Sequence, residues 1–197
     1  MLFGTIPTSL GLLTNFVVLS ISQKNFTSSI PSTLGYLVNI VYFYVDNNFL
    51  TSTLPSSLIM LSNYLENLYM FENYFSSSLP SFIGRYSNVI GLSFENNYFA
   101  SSIPSELCAC DALKYLKLSG NLLSSSIPSC FGTSKNLEYL NLADNLLTGS
   151  IPTSFLISST LEILILNNNG LEGENPSFIC SLQILTELYM SNNHFKF

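Results

Sequence analysis

Eight prolines recur along the chain at an almost constant period. They are Pro7, Pro31, Pro55, Pro80, Pro104, Pro128, Pro152 and Pro176, separated by 24, 24, 25, 24, 24, 24 and 24 residues, and no proline lies outside the series. A fixed period in this range points to a stacked solenoid, because a unit of that size cannot bury an apolar face without neighbours. The fold class expected is therefore an α/β repeat solenoid of about eight coils, and the extra residue between Pro55 and Leu65 is expected to bulge on the outer side.

The rest of each unit is equally regular. Phe16, Leu19, Ile21 and Phe26 occupy the same slots as Ile40, Phe43, Val45 and Leu50, as Leu65, Leu68, Met70 and Phe75, and as Leu113, Leu116, Leu118 and Leu123. This is the L-x-x-L-x-L-x-x-N-x-L pattern of a leucine-rich repeat. Its asparagine slot holds Asn48, Asn73, Asn97, Asn121, Asn145, Asn169 and Asn193, with Lys24 as the exception. An amide can both donate to and accept from buried backbone groups of adjoining coils. Lysine has no acceptor, so the first coil is expected to be looser.

"NNFLTSTLPSSL" and "NLLTGSIPTSF" resemble the plant-specific subfamily of leucine-rich repeats. That subfamily forms the ectodomains of receptor-like kinases and receptor-like proteins, and the polygalacturonase-inhibiting proteins. The resemblance implies a horseshoe with a parallel sheet on the concave face, a second short sheet on one flank, and 3-10 or irregular segments on the convex face. It extends over residues 1–197 as a single domain. The subfamily's glycine before x-I-P is present at Gly4, Gly149 and Gly173 but is serine at Ser28, Ser52, Ser77, Ser101 and Ser125, and the last repeat reads "EGENP" with Asn175. "MLFGTIP" has no basic n-region and already contains a repeat turn, so it does not read as a secretory signal. The chain is expected to begin and end inside coils, as a fragment lacking both polar caps.

The resemblance also implies a cysteine pair, Cys108 with Cys130, on adjacent coils. Cys180 repeats the slot of Cys108, while Cys110 takes that of Leu37 and is expected to be a buried thiol. One C-x-C and a single histidine, His194, do not make a metal ligand set. Asn25-Phe26-Thr27 is an N-glycosylation sequon, and with a disulfide it leans toward an extracellular or cell-surface setting.

Composition narrows the function. Twelve acids against six bases argue against nucleic acid as a partner. No apolar run reaches the roughly 20 residues of a spanning helix, so any membrane anchor would belong to flanking sequence. There is no Gly-rich phosphate loop, and an open solenoid face does not close two carboxylates around a pocket. An enzyme is therefore not expected, nor is a cofactor.

What remains is the surface. Strand alternation turns the variable residues of L-x-x-L-x-L outward, which places Tyr42, Tyr44, Asp46, Glu66, Tyr69, Phe71, Glu72, Glu95, Lys114, Tyr115, Lys117, Glu138, Tyr139 and Tyr189 on the concave sheet. Asp144, Glu162, Ile163, Ile165 and Glu187 complete the row. Tyrosine gives large contact area with a polar tip at low entropic cost, although strands also favour it for packing alone. At about 4.8 Å per strand, eight units span roughly 38 Å, the length of an extended peptide of about ten residues. The expected function is recognition of a peptide or protein carrying basic and apolar groups, with Lys114 and Lys117 as a local spot for a carboxylate.

Two alternatives stay open. Thr27, Ser29, Thr51, Thr53, Ser76, Ser78, Ser102, Ser124, Ser126, Thr148 and Ser150 would form two aligned hydroxyl columns on the flank, interrupted at Ala100, resembling the ice-binding face of solenoid antifreeze proteins. The acidic concave face would alternatively suit a basic cell-wall-degrading hydrolase, as an inhibitor.

Overall fold

The computed structural model describes residues 3–174 and 184–196. Asn175, Pro176 and Cys180 lie outside the described residues. From Val18 to Ile157 the coils repeat one order: a short strand, a turn, a second short strand, a proline, and a 3-10 segment, with the ladder asparagine in the turn from Asn48 on. The first strands, Val18–Ser20, Tyr42–Tyr44, Asn67–Tyr69, Gly91–Ser93, Tyr115–Lys117, Tyr139–Asn141, Ile163–Ile165 and Glu187–Tyr189, pair in parallel in chain order as one eight-stranded sheet. The second strands, from Gly4–Thr5 to His194–Lys196, make a nine-stranded parallel sheet along one flank. The architecture is the expected leucine-rich repeat solenoid, and among the described residues no helix is long and apolar enough to cross a membrane.

The period-two alternation of the first strands buries the middle residue from Val18–Ser20 to Ile163–Ile165, and in Gly91–Ser93 all three residues are buried. Leu19, Phe43, Leu68, Leu92, Leu116, Leu140 and Leu164 form one continuous buried row inside the sheet, each side chain contributing about 1.5–3 kcal/mol by leaving water. Phe75 stacks on Phe99, and Phe99 takes Phe94 edge-on, so aromatic rings fill the middle coils. Each proline from Pro7 to Pro152 opens a 3-10 segment with its carbonyl accepting from the N–H three residues on, as in Leu34 to Pro31 (3.0 Å) and Leu58 to Pro55 (3.0 Å). Proline suits this place because its φ is already set and its missing N–H has no partner to lose.

The asparagines hold neighbouring coils together. Asn97 donates from Nδ2 to the carbonyls of Met70 (3.0 Å), Phe94 (3.2 Å) and Glu95 (3.1 Å), and its Oδ1 accepts from the Phe75 N–H (3.0 Å). Asn48, Asn73, Asn121, Asn145, Asn169 and Asn193 repeat the backward reach. Each amide serves its own turn as well as the coil before it, and Lys24 has no amide for either role. The Lys24 and Phe26 N–H groups donate to Asn48 Oδ1 at 3.2 and 2.9 Å. The link from this coil to the next is thereby kept.

On the convex side the coils approach closely. A Cβ built at Gly35 would lie 2.3 Å from the Ser57 carbonyl oxygen, and one at Gly84 would lie 2.1 Å from that of Glu106. Cys108 takes the same slot, and its side chain is bonded to Cys130 on the next coil, with Cα atoms 5.9 Å apart. The extra residue is absorbed by a longer 3-10 segment, Ser56–Asn63, against five residues in each of the others. Tyr86, buried in the next coil, donates its hydroxyl to the Leu58 carbonyl inside that segment at 2.9 Å. Burial pushes the Tyr86 phenol well above the usual range. Cys110 is a buried thiol that donates to the Ile83 carbonyl at 3.3 Å, its pKa pushed up to about 12, chiefly by burial.

Candidate functional site

The outward positions of the eight first strands divide into distinct zones. At the first complete coils, Tyr42, Tyr44 and Tyr69 form an aromatic strip, with Tyr44 and Tyr69 stacked at 4.9 Å and Tyr42 6.2 Å from Tyr44. Tyr69 extends over the strand beside it because residue 91 is glycine. A Cβ there would lie 2.6 Å from Asn67 Oδ1 and 3.1 Å from the Tyr69 hydroxyl. Tyr42 donates to Glu66 Oε2 at 3.1 Å, and Phe71 is half-buried beside the strip.

Glu95 sits at the centre, accepting from the hydroxyls of Ser93 and Ser119, both at 3.0 Å. Beyond it, Lys114 Nζ meets Glu138 Oε1 at 2.6 Å, the one ion pair among the described residues. Tyr115 donates to the other oxygen of Glu138 at 3.1 Å, and Lys117 Nζ lies 5.3 Å above the centre of the Tyr139 ring. Tyr189 is exposed at the far end, donating to Glu187 Oε2 at 3.2 Å.

These contacts set the protonation of the surface. The hydrogen bond from Lys114 holds the Glu138 carboxyl below its usual range, and the same contact raises Lys114. Burial raises Tyr44, Tyr69 and Tyr139, and hydrogen bonds to carboxylates raise Tyr42, Tyr115 and Tyr189. All of these phenols are therefore donors at neutral pH.

Three sequence expectations change in the structure. Asp46 is only 8% exposed, with its oxygens taken by the Ser22 hydroxyl (2.6 Å) and the Asn47 amide (3.1 Å). It braces the turn and leaves little surface to a ligand. Lys114 and Lys117 do not form a free cationic spot, since one is paired with Glu138 and the other lies over Tyr139. Glu72 does not face the sheet centre either. It stands in the asparagine turn in the left-handed conformation, φ 55°, accepting from Asn96 Nδ2 at 2.8 Å.

On the flank, Thr27, Ser29, Thr51, Thr53, Ser76, Ser78, Ser102, Ser126, Thr148 and Ser150 are exposed and Ser124 is half-buried. The hydroxyl columns are staggered where level ones were expected. Strand pairing sets Thr27 beside Phe49, Thr51 beside Tyr74 and Ser76 beside Tyr98. Equivalent residues of successive coils are thus displaced along the strands by two residues, about 6.6 Å. In the sequon, Asn25 is half-buried at φ 58° and Thr27 is exposed.

Sequence reasoning overlooked one feature. The residue after each ladder asparagine is Phe49, Tyr74, Tyr98, Leu122 and Leu146 in five consecutive coils, and all five are exposed. The signal was available as an apolar side chain recurring at a slot outside the buried pattern.

Residues 112–171 match the family model described as a leucine rich repeat. No curated protein matches the chain. Among solved structures, a TDR receptor aligns with a TM-score of 0.93 at 34% identity, over 99% of this chain and 34% of that one. The plant peptide hormone receptor RGFR1, solved in complex with RGF2, aligns with a TM-score of 0.90 at 29% identity, over 99% of this chain and 31% of that one. A plant ice-binding protein aligns with a TM-score of 0.68 at 20% identity, over 97% of this chain and 70% of that one, a likeness of fold alone. The chain spans about a third of the length of the two receptor structures.

Proposed function

We propose, starting from a chain that folds as a leucine-rich repeat solenoid similar to those of plant receptors, that it is a non-enzymatic recognition scaffold whose concave sheet binds a peptide or protein. The observation that carries this reading is the strip Tyr42, Tyr44 and Tyr69, rimmed by Glu66 and Glu95. Stacked phenols on a rigid sheet offer contact area that is already ordered, so little conformational entropy is lost on binding. Neither Glu66 nor Glu95 has a cationic partner among the described residues, which favours a ligand with Lys or Arg beside apolar groups. The likeness to a receptor solved with a peptide hormone supports the same class of ligand, and an extracellular setting belongs to this proposal.

Panning a displayed library of twelve-residue peptides against the chain tests the reading. Enriched peptides should carry a basic residue flanked by apolar ones, and the double variant Tyr44→Ala, Tyr69→Ala should lose them. Enrichment indifferent to that variant would remove the concave strip as the site. Faceted ice crystals with thermal hysteresis would move the activity to the Ser/Thr flank, although the stagger of its hydroxyls beside Phe49, Tyr74 and Tyr98 works against a flat lattice. Tight binding of a wall-degrading hydrolase with no peptide enrichment would favour an inhibitor.

A further inference from the structure

Away from the concave sheet, Phe49, Tyr74, Tyr98, Leu122 and Leu146 stand 44%, 44%, 50%, 45% and 57% exposed in consecutive coils. The three rings stack at centroid distances of 6.0 Å with planes 16–17° apart, so the aromatic part of the row is a continuous exposed ridge. Beside it runs the line of left-handed turn residues, and a groove of about 500 Å³ is lined by Phe49, Tyr74 and Tyr98 together with Asn47, Glu72 and Asn96. Each asparagine beneath the ridge is locked by the backbone ladder, so the surface is ordered before anything docks on it.

We propose that this ridge and groove dock an amphipathic, cationic helix of a partner protein, at a site separate from the concave sheet. Charge selects the partner's chemistry. The charged residues in the turn line from Asn47 to Asp144 are Glu72 and Asp144, both acidic, and each is oriented through one oxygen by the amide of the next coil, Asn96 at 2.8 Å and Asn168 at 2.6 Å. A second copy of this chain would bring the same acids against them, so the partner is a different, basic chain. Pitch selects its conformation. The ring spacing of 6.0 Å equals four residues of α-helical rise at about 1.5 Å each, and falls short of the roughly 6.7 Å between alternate residues of a strand. An i, i+4 row of apolar side chains can therefore lie in register along the ridge, one against each ridge residue, with an adjacent Lys or Arg row over Glu72 and Asp144.

The test uses the whole chain, labelled with nitrogen-15, and a synthetic eighteen-residue helical peptide with Leu at i, i+4 spacing and Lys on the neighbouring row. Amide shifts should concentrate at residues 47–49, 72–74, 96–98 and 120–122. Tyr74→Ser and Glu72→Asn should each weaken binding about tenfold, and Tyr44→Ala on the concave sheet should leave it unchanged. Glu72→Asn is a safe substitution for folding, since Asn47 and Asn96 already occupy the same left-handed turn. Shifts on the concave strands, indifference to both ridge variants, or equal binding of the peptide with Glu in place of Lys would each overturn the proposal. So would a dimer of the chain that Tyr74→Ser dissociates, because the ridge would then be a self-contact.

Discussion

Lys114 and Glu138 face each other across adjacent strands of the concave sheet at 2.6 Å, and Tyr115 closes on the same carboxylate from the other side at 3.1 Å. The pair neutralises what would otherwise be the positive end of an acidic surface. Because Lys114 depresses the Glu138 pKa, the contact stabilises the fold above the unfolded carboxyl value and is lost as pH falls through the lower folded one. A carboxyl titration by NMR should therefore show Glu138 protonating below the ordinary Glu range. Lys114→Met should return it toward that range while changing stability little, since the pair is at the surface. An unmoved Glu138 midpoint in that variant would show that the ion pair does not form in solution.

Asn97 carries four hydrogen bonds that no apolar residue can replace. Replacing it with Leu leaves the Phe75 N–H without its acceptor in the core, at a cost of about 1–3 kcal/mol, while the Met70, Phe94 and Glu95 carbonyls keep bonds from Asn73, Asn121 and the Glu72 N–H. Asn97→Leu should lower stability by about 2 kcal/mol in chemical denaturation. A loss below about 1 kcal/mol would mean that water fills the gap.

Ser77 adopts φ 78° in the slot that Gly149 occupies at φ 76°. A side chain costs roughly 1–2 kcal/mol in that region, partly offset by the extra chain entropy of glycine. Ser77→Gly should stabilise the protein by up to about 1 kcal/mol. Ser77→Val should destabilise it by more, because β-branching worsens the same clash. Thermal unfolding of the two variants decides, and the opposite order would contradict a left-handed turn at this position.

The bond between Cys108 and Cys130 closes a sequence separation of 22 residues, worth roughly 3 kcal/mol in the chain-entropy model. Reduction should lower the melting temperature, and Cys108→Ala should abolish the dependence on reductant. A reductant effect that survives Cys108→Ala would point to another disulfide.

Cys110 is the buried thiol nearby. Its pKa is raised by burial from 9.0 to about 12, so it favours the fold below the unfolded value and gives up that stability as pH rises between them. Unfolding measured from pH 7 to 11 should show an alkaline loss of stability above about pH 9 that Cys110→Ala reduces. Tyr86, raised in the same direction, adds a loss that Cys110→Ala leaves in place.

The repeat, its length and its buried rows were legible in the sequence because they follow from spacing. Eight prolines set the period, and the asparagines marked the ladder. The direction of that ladder was not legible, since an amide's donors do not reveal which neighbouring coil they serve. The tyrosines of the concave strip were found by strand alternation, but Asp46 was counted among them although Ser22 and Asn47 consume its oxygens. The same arithmetic passed over Phe49, Tyr74 and Tyr98, because a position outside the apolar pattern reads as solvent until its neighbours are known to align.

By itself the sequence determined the solenoid, since one periodic pattern of apolar residues has few ways to be buried. Only the tertiary structure decided which side chains are free. Lys114 met Glu138 and Lys117 met Tyr139 through residues about one repeat away, and Thr27 came to lie beside Phe49 through a slip of two residues between strands. Contacts between coils depend on stagger and side-chain reach, and neither is written in the composition of a single repeat.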